Sequence, residues 1–368
     1  MNSIEKIGKF EVIALFITII SNNIIINIST IIVNNSSTGA WLNIIYLTLI
    51  CLVFIFFICK FFKPFINSDI LDVSEFLGGK ILKTIMSILY VALFIISSAT
   101  CIRYFSNSLK LIYFNYTPLV FLILLMIIPV VIANRYGLKG ISGANLIFLP
   151  VAVFSIITLF FTASQDFVWE RLFPALGYGA KETFLLQITN IFAFDVIGYL
   201  YFLKPFLKKE TDFKKISIIA VILCGLYLLL SIIFLLMSFA FIMQTDETLS
   251  LYLLTRLISF GNFLQRVDAI FIFIWILTIL SYLSLNLFII TQIIKKTINL
   301  KSTAQIIYPI AVFIFSIGLL FKNIMSIKLF ISNFYNIYSA ILIFIISFII
   351  LLLAYIKKKK KQGVKNEI

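Results

Sequence analysis

The sequence predicts an all-α membrane protein. Ten transmembrane helices form a five-plus-five inverted repeat, with the first and sixth spans discontinuous. Three observations predict this. The 368 residues are 62% hydrophobic and only 12% charged, with a mean hydropathy of +1.13, a composition of polytopic membrane proteins rather than soluble globules. The apolar runs are as long as a bilayer core requires, about 20 residues each. Polar or helix-weakening residues stand mid-run at corresponding places in the two halves, at Ser21–Asn23 and across Phe192–Gly198. Such paired interruptions in oppositely oriented halves point to the binding site of a transporter-type fold.

The expected spans are Phe10–Val33, Ala40–Phe62, Thr84–Phe105, Thr117–Asn134, Ile141–Ala163, Thr183–Leu203, Ile216–Met243, Asp268–Ile294, Ala304–Phe321 and Leu329–Ile356. They make one membrane domain over 1–368, with repeats over about 10–163 and 183–356 and a basic tail at 357–368. With the N-terminus inside, 22 of the 30 Lys and Arg residues fall on the inner side and 8 on the outer. Positive residues accumulate on the cytoplasmic side, so both termini are expected there. The net charge of +15 is therefore a matter of orientation rather than of nucleic-acid binding. The first apolar stretch is too long for a signal-peptide core, and no cleavable leader is expected.

Span one breaks its apolar run at Ser21-Asn22-Asn23. Such side chains compete for local backbone bonds and weaken a helix; the plainer alternative is glue between helices. The inner segment Lys63–Lys83 alternates apolar residues with Asp69, Asp72 and Glu75 and predicts a short interfacial helix ending near Gly78-Gly79. Span three carries Ser97, Ser98 and Thr100, with Ser97 and Thr100 on one face and Arg103 expected to snorkel outward. Spans four and five read as scaffold kinked at Pro129 and Pro150. Between spans five and six, Trp169, Leu172, Phe173 and Leu176 imply an interfacial helix, and Gly177-Tyr178-Gly179 a tight turn. The outer segment Thr245–Gln265 is half apolar and suited to roofing a cavity. Span eight opens on Arg266 and Asp268 and holds Trp275, Tyr282 and Asn286. The tail Lys357–Lys361 reads as a stop-transfer flank, adequately explained by solvation.

Span six, FLLQITNIFAFDVIGYLYFLKP, carries Asp195 near its middle. An aspartate at that depth costs about 2.5–3.5 kcal/mol on insertion scales, which makes it a functional candidate. The alternative is a kinked helix whose protonated Asp195 bonds a neighbour. Freed amides of two broken helices suit an anionic group, and Asn22, Asn23 or Asp195 an ammonium or cation. That favours a small zwitterion over a phosphate ester. Histidine is absent, the four cysteines lack metal-ligand spacing, and no nucleophile–base pair is evident, so neither an enzyme, a cofactor nor a metal is expected. Charged rings suited to a channel filter are not evident either.

The runs Arg171–Gly179, Asn190–Asp195 and Arg266–Phe271 followed by Trp275 resemble those of the B subunits of bacterial spore nutrient-germinant receptors, the GerAB-type permease-like proteins. The resemblance spans nearly the whole chain. It implies the leucine-transporter-like fold of the amino acid–polyamine–organocation superfamily. It further implies a spore inner-membrane subunit that senses a small nutrient, often an amino acid, beside A-type and C-type partner subunits. By analogy the ligand site is made of Ser21, Asn22, Asn23, Ser98, Phe192, Ala193, Phe194, Asp195 and Tyr282. Two departures leave the ligand open: Ser21-Asn22-Asn23 stands where the superfamily usually has a glycine-rich break, and Asp195 where the family more often has Glu. A cation-coupled amino acid transporter is the competing expectation.

Overall fold

The computed structural model describes residues 5–25, 28–163, 167–238 and 267–366. Among them regular structure is helical, apart from one isolated bridge between Ile7 and Leu207. The α-helices are α1 (Lys9–Ile25), α2 (Ile28–Ser36), α3 (Ala40–Phe62), α4 (Ile70–Ile112), α5 (Leu119–Arg135), α6 (Gly137–Ala163), α7 (Ala180–Phe184), α8 (Val196–Leu203), α9 (Phe213–Ser238), α10 (Val267–Ile298), α11 (Ala304–Leu320), α12 (Ile324–Phe330), α13 (Asn336–Ala340) and α14 (Ser347–Asn366). A 3₁₀ segment, Leu186–Phe194, joins α7 to α8, and π-helical turns Ile331–Tyr335 and Ile341–Ile346 join α12 to α13 and α13 to α14. By length and composition five described helices can cross a bilayer, or seven if each bent pair is one span. The protein is a multi-pass membrane protein.

Burial separates a central layer from a peripheral one. In the most apolar window of Ile272–Ile298, 78% of residues are buried, against 39% for Ile28–Phe62. Helix α10 is therefore central and packs on α4, α5 and α6, while α1 lies against α6, α9 and α10. Helices α3, α5 and α11 turn Leu49, Val53, Leu125, Val312 and their neighbours outward. Large exposed apolar side chains in rows suit a lipid face, because hydrocarbon imposes no penalty on them.

Local rules explain most boundaries. Asp69 caps α4: its carboxylate accepts from Leu71 N at 2.9 Å and Asp72 N at 3.0 Å, and Asp72 returns a bond to Asp69 N. This capping box satisfies amides that a helix start leaves orphaned. The path is non-helical at Gly78 and at Gly79 (φ 69°), so the inner helix ends where the sequence predicts. Gly79 occupies the left-handed region, which glycine enters without steric cost. Gly177 (φ 53°) and Gly179 (φ 121°) form the expected tight turn. A Cβ on Gly177 would stand 2.5 Å from Ser36 O and 2.8 Å from Gly39 N, so the turn lies directly against the junction of α2 and α3.

Several expectations need correcting. Ser21-Asn22-Asn23 do not interrupt span one; they are α-helical, and α1 runs on to Ile25. Ser21 donates to Ile17 O at 2.8 Å, so the hydroxyl back-bonds along its own helix instead of opening it. Arg103 does not snorkel. It is 8% exposed and donates to Lys322 O at 3.2 Å, because α4 continues past it to Ile112. The helix expected from Trp169 onward is shorter than its apolar residues suggest, a single 3₁₀ turn over Trp169–Leu172. The tail is not a simply solvated flank. Lys357 donates to Phe76 O at 3.0 Å and Leu77 O at 2.8 Å, and Lys358 donates to Pro64 O. These ammonium groups cap carbonyls stranded by the Gly78 break and by the end of α3. Arg266, the side chain of Asp268 and the segment Thr245–Gln265 lie outside the described residues.

Candidate functional site

The site is built where span six comes apart. Ala180–Phe194 and Val196–Phe206 meet at a bend of 45°, and Asp195 is the residue between them. The nine-residue stretch Leu186–Phe194 is 3₁₀, longer than the three or four residues usual for that geometry, and such stretches often mark functional hinges. Its cause is visible in the neighbours. Asn43 of α3 donates to Thr183 O at 2.7 Å and Gln187 O at 3.2 Å, drawing both carbonyls out of the ordinary helical ladder. Asn190 donates to Ser36 Oγ at 3.1 Å and Asn43 Oδ1 at 3.0 Å, and accepts from Asn35 at 2.9 Å. A polar seam thus holds the loosened half of span six against α2 and α3. Asp195 continues the tighter pattern, its N–H reaching Phe192 O at 3.0 Å and its C=O accepting from Gly198 at 2.8 Å.

The Asp195 side chain meets span one. Asn23 donates to Asp195 Oδ1 at 2.9 Å; the two residues are 7% and 8% exposed. Among the described residues Asp195 has no ion-pair partner, yet the phenols of Tyr199, Tyr282 and Tyr335 lie within Coulombic reach. A carboxylate here lacks a counter-cation of its own, and an isolated buried charge costs several kcal/mol by the usual effective reckoning. The site is therefore suited to a proton, a cation or a ligand ammonium.

The other expected residues are brought to the same layer by degrees. Ser98 donates to Phe94 O at 2.7 Å and accepts from Asn286 at 3.1 Å, while Asn286 accepts from the Tyr199 hydroxyl at 2.6 Å. Tyr282 bonds Ser97, and its ring lies 6.5 Å from that of Tyr199. Phe192, Ala193 and Phe194 are buried on the 3₁₀ side. Asn22 turns from Asp195 to Cys101, 3.7 Å from its sulfur. Ser21 faces α9, 3.2 Å from the Tyr227 hydroxyl. So Asn23, Asp195, Tyr282 and, through Asn286, Ser98 converge, whereas Ser21 and Asn22 serve neighbouring helices.

Sequence reasoning passed over Tyr199 and Asn286 as site residues, and took Ser97 no further than the face it shares with Thr100. A signal existed: Tyr282 and Asn286 stand four apart on α10 and share a face. An aromatic layer follows. Phe94 lies 5.1 Å from Tyr199 and 5.8 Å from Phe202, and Tyr90 lies 4.7 Å from Phe202. Beyond it, at the end bearing both termini, opens a cavity of about 720 Å³ lined by Phe202, Phe288, Thr291 and Lys296 among others. Lys296 there holds Asp69 and Asp72, both at 2.6 Å, and Lys6 holds Pro205 O at 2.7 Å. Tyr201 donates to Ile343 O at 2.9 Å, occupying a carbonyl of the second π-helical turn. Gly198 lets that turn approach: an added Cβ would meet Ile343 Cδ1 at 2.9 Å.

A broken span with an acid at its joint, paired to span one, is a transporter-like arrangement, and the comparisons agree with it. The spore permease family model, whose description is spore germination protein, matches residues 6–327. This chain belongs to that family. It is 23% identical over 339 residues to spore germination protein XB of Bacillus anthracis, covering 90% of this chain and 92% of the relative. The fold resembles that of Mhp1, a nucleobase-cation-symport-1 family transporter, in a closed conformation with bromovinylhydantoin bound. There the TM-score is 0.64 at 15% identity, over 93% of this chain and 78% of the other. Family and fold are those of a germination permease or transporter relative, not of an enzyme.

Proposed function

We propose that this protein is the membrane-embedded nutrient-binding subunit of a spore germinant receptor. It takes a small zwitterion of the amino acid class at mid-membrane. The observation that carries the reading is the Asn23–Asp195 bond at 2.9 Å, which ties span one to the joint of the broken span six. A ligand ammonium at Asp195 would compete with Asn23. Its carboxylate would meet the N-terminal turn of α8, which follows the bend directly and whose dipole favours negative charge. The proposed contacts are Asn23, Asp195, Tyr282, Ser98 and the Phe192–Phe194 backbone, with Ser21 and Asn22 supporting span one. Ligand acts by binding one arrangement of the bundle better than another, and A-type and C-type subunits in the spore inner membrane read the change. Each of the ten expected spans overlaps a described helical run, which supports a ten-span domain; the bias of Lys and Arg to one side of that plan is what favours cytoplasmic termini.

The test is a thermal-shift screen of the purified protein against amino acids, nucleosides and sugars, followed by titration of any hit into Asn23→Ala and Asp195→Ala. Saturable binding lost in both variants is the expected result; binding intact in both would remove the site. A second reading, a cation-coupled transporter, is favoured by the symporter fold match. Counterflow of the labelled hit in proteoliposomes separates the two: binding without flux supports the receptor, and cation-dependent flux supports the transporter.

A further inference from the structure

A second cleft, about 530 Å³ in volume, opens between the termini-side ends of α3 and α9. Lys60 enters it from the last turn of α3, Lys63 from just beyond, and Lys214 from the first turn of α9. Lys204, which follows α8 directly, forms part of its lining. The four ammonium groups face one lining carboxylate, Glu210, which is bonded to Asn67 N; Asp212 is its nearest acidic neighbour in sequence.

The lysines differ in what they do. Lys204 is 4% exposed and caps α3, donating to Phe62 O at 3.2 Å and to Phe65 O. Its charge is fixed in place. Lys60, Lys63 and Lys214 are exposed. Among the described residues Lys60 and Lys63 have no hydrogen-bond or ion-pair partner, and Lys214 rests on the ring of Phe56 at 5.4 Å. Orientation in the membrane requires positive charge near this side. It does not require ammonium groups from three chain segments to converge on one recess.

The position identifies the occupant. Both α3 and α9 belong to helices apolar enough to cross a bilayer, so the cleft stands where each leaves the hydrocarbon. Just toward the middle of the span, Val53 (59%), Phe56 (51%), Ile222 (45%) and Leu226 (52%) are open to the outside of the bundle. Phosphate at the lysines and acyl chains along this apolar surface would match one amphiphile. We propose that this cleft binds the headgroup phosphate of an anionic phospholipid. Basic recesses between membrane helices at the cytoplasmic side are suited to such headgroups. The bound lipid would stand beside Lys204, at the end of the broken span, so membrane composition reaches the element that carries Asp195.

The test uses the full chain, delipidated in detergent and titrated with phosphatidylglycerol or phosphatidylcholine under native mass spectrometry. It includes Lys60→Gln/Lys63→Gln/Lys214→Gln and, as a charge-matched control, Lys301→Gln/Lys359→Gln/Lys360→Gln. Wild type and control should retain phosphatidylglycerol over phosphatidylcholine, and the cleft variant, short of three ammonium groups, should lose about two orders of magnitude of that affinity. Equal loss in both variants would mean diffuse surface attraction, and no loss in either would mean no site; both overturn the proposal. Displacement by soluble glycerol phosphate at a matching concentration would reassign the cleft to free phosphate. A photoreactive residue in place of Phe56, in an otherwise native chain, keeps the test independent of the triple variant. Crosslinking to phosphatidylglycerol in equimolar phosphatidylcholine–phosphatidylglycerol vesicles supports the site, and crosslinking only to phosphatidylcholine refutes it.

Discussion

The Asn23–Asp195 bond predicts a measurable energetic coupling between spans one and six. Asn23→Ala leaves Asp195 Oδ1 without its donor, and Asp195→Ala leaves the Asn23 amide without its acceptor. Each change strands a buried polar group, at a cost of about 1–3 kcal/mol. The double variant strands neither, so its loss should fall short of the summed single losses. A hydrogen bond to a charged group contributes about 1.5–3 kcal/mol and one between neutral groups about 0.5–1.5. The cycle therefore also reports the state of the acid. A coupling near the upper range indicates a carboxylate, and Asp195→Asn should then reduce it; a coupling near 1 kcal/mol indicates a protonated acid, and Asp195→Asn should hardly change it. The assay is reversible denaturant unfolding of wild type, both single variants and the double variant in identical mixed micelles. Residues that do not interact add to within about 0.5 kcal/mol. Additivity within that margin would mean that the 2.9 Å contact does not join the spans, and the proposed site would lose its anchor.

Three further outcomes follow from packing and capping. At the α3–α9 crossing, a Cβ on Gly225 would stand 2.2 Å from Thr48 Oγ1 and 3.0 Å from Thr48 Cβ. Gly225→Ala should cost about 1–3 kcal/mol by overpacking, and Thr48→Ala in the same chain should restore most of it, read as recovery of thermal stability. Asn43→Ala removes the donor to Thr183 O and Gln187 O, so amide exchange across Leu186–Phe194 should accelerate while the middle of α9 stays protected. Lys357→Met should leave Phe76 O and Leu77 O uncapped, about 1 kcal/mol for a half-exposed cap. Protease cleavage near Gly78-Gly79 should rise without loss of the remaining bundle.

Much of the fold was legible because bilayers impose local rules. A run of about 20 apolar residues identifies a span without reference to any partner, and Gly78-Gly79 ends the inner helix by its own backbone freedom. Asp195 stood out for the same reason: a carboxylate inside hydrocarbon is costly wherever its neighbours lie. Ser21-Asn22-Asn23 were less legible. A serine that back-bonds to Ile17 O and one that breaks its helix look identical in one dimension. Arg103 misled likewise, since its burial depends on a carbonyl from Lys322, 219 residues away.

The sequence by itself determined that the chain is helical, that it resides in a membrane and that an acid, Asp195, stands inside an apolar run. These follow from transfer energies that each residue sets locally. Only the tertiary structure decided that Asn23, 172 residues away, meets that acid while Asn22 turns to Cys101. It also decided that Asn43 draws span six into a 3₁₀ path, and that lysines from the tail and from beyond α8 close the ends of other helices. A side chain's partner depends on how helices are rotated and stacked, and that is set by the packing of the whole bundle, not by the residues on either side of it.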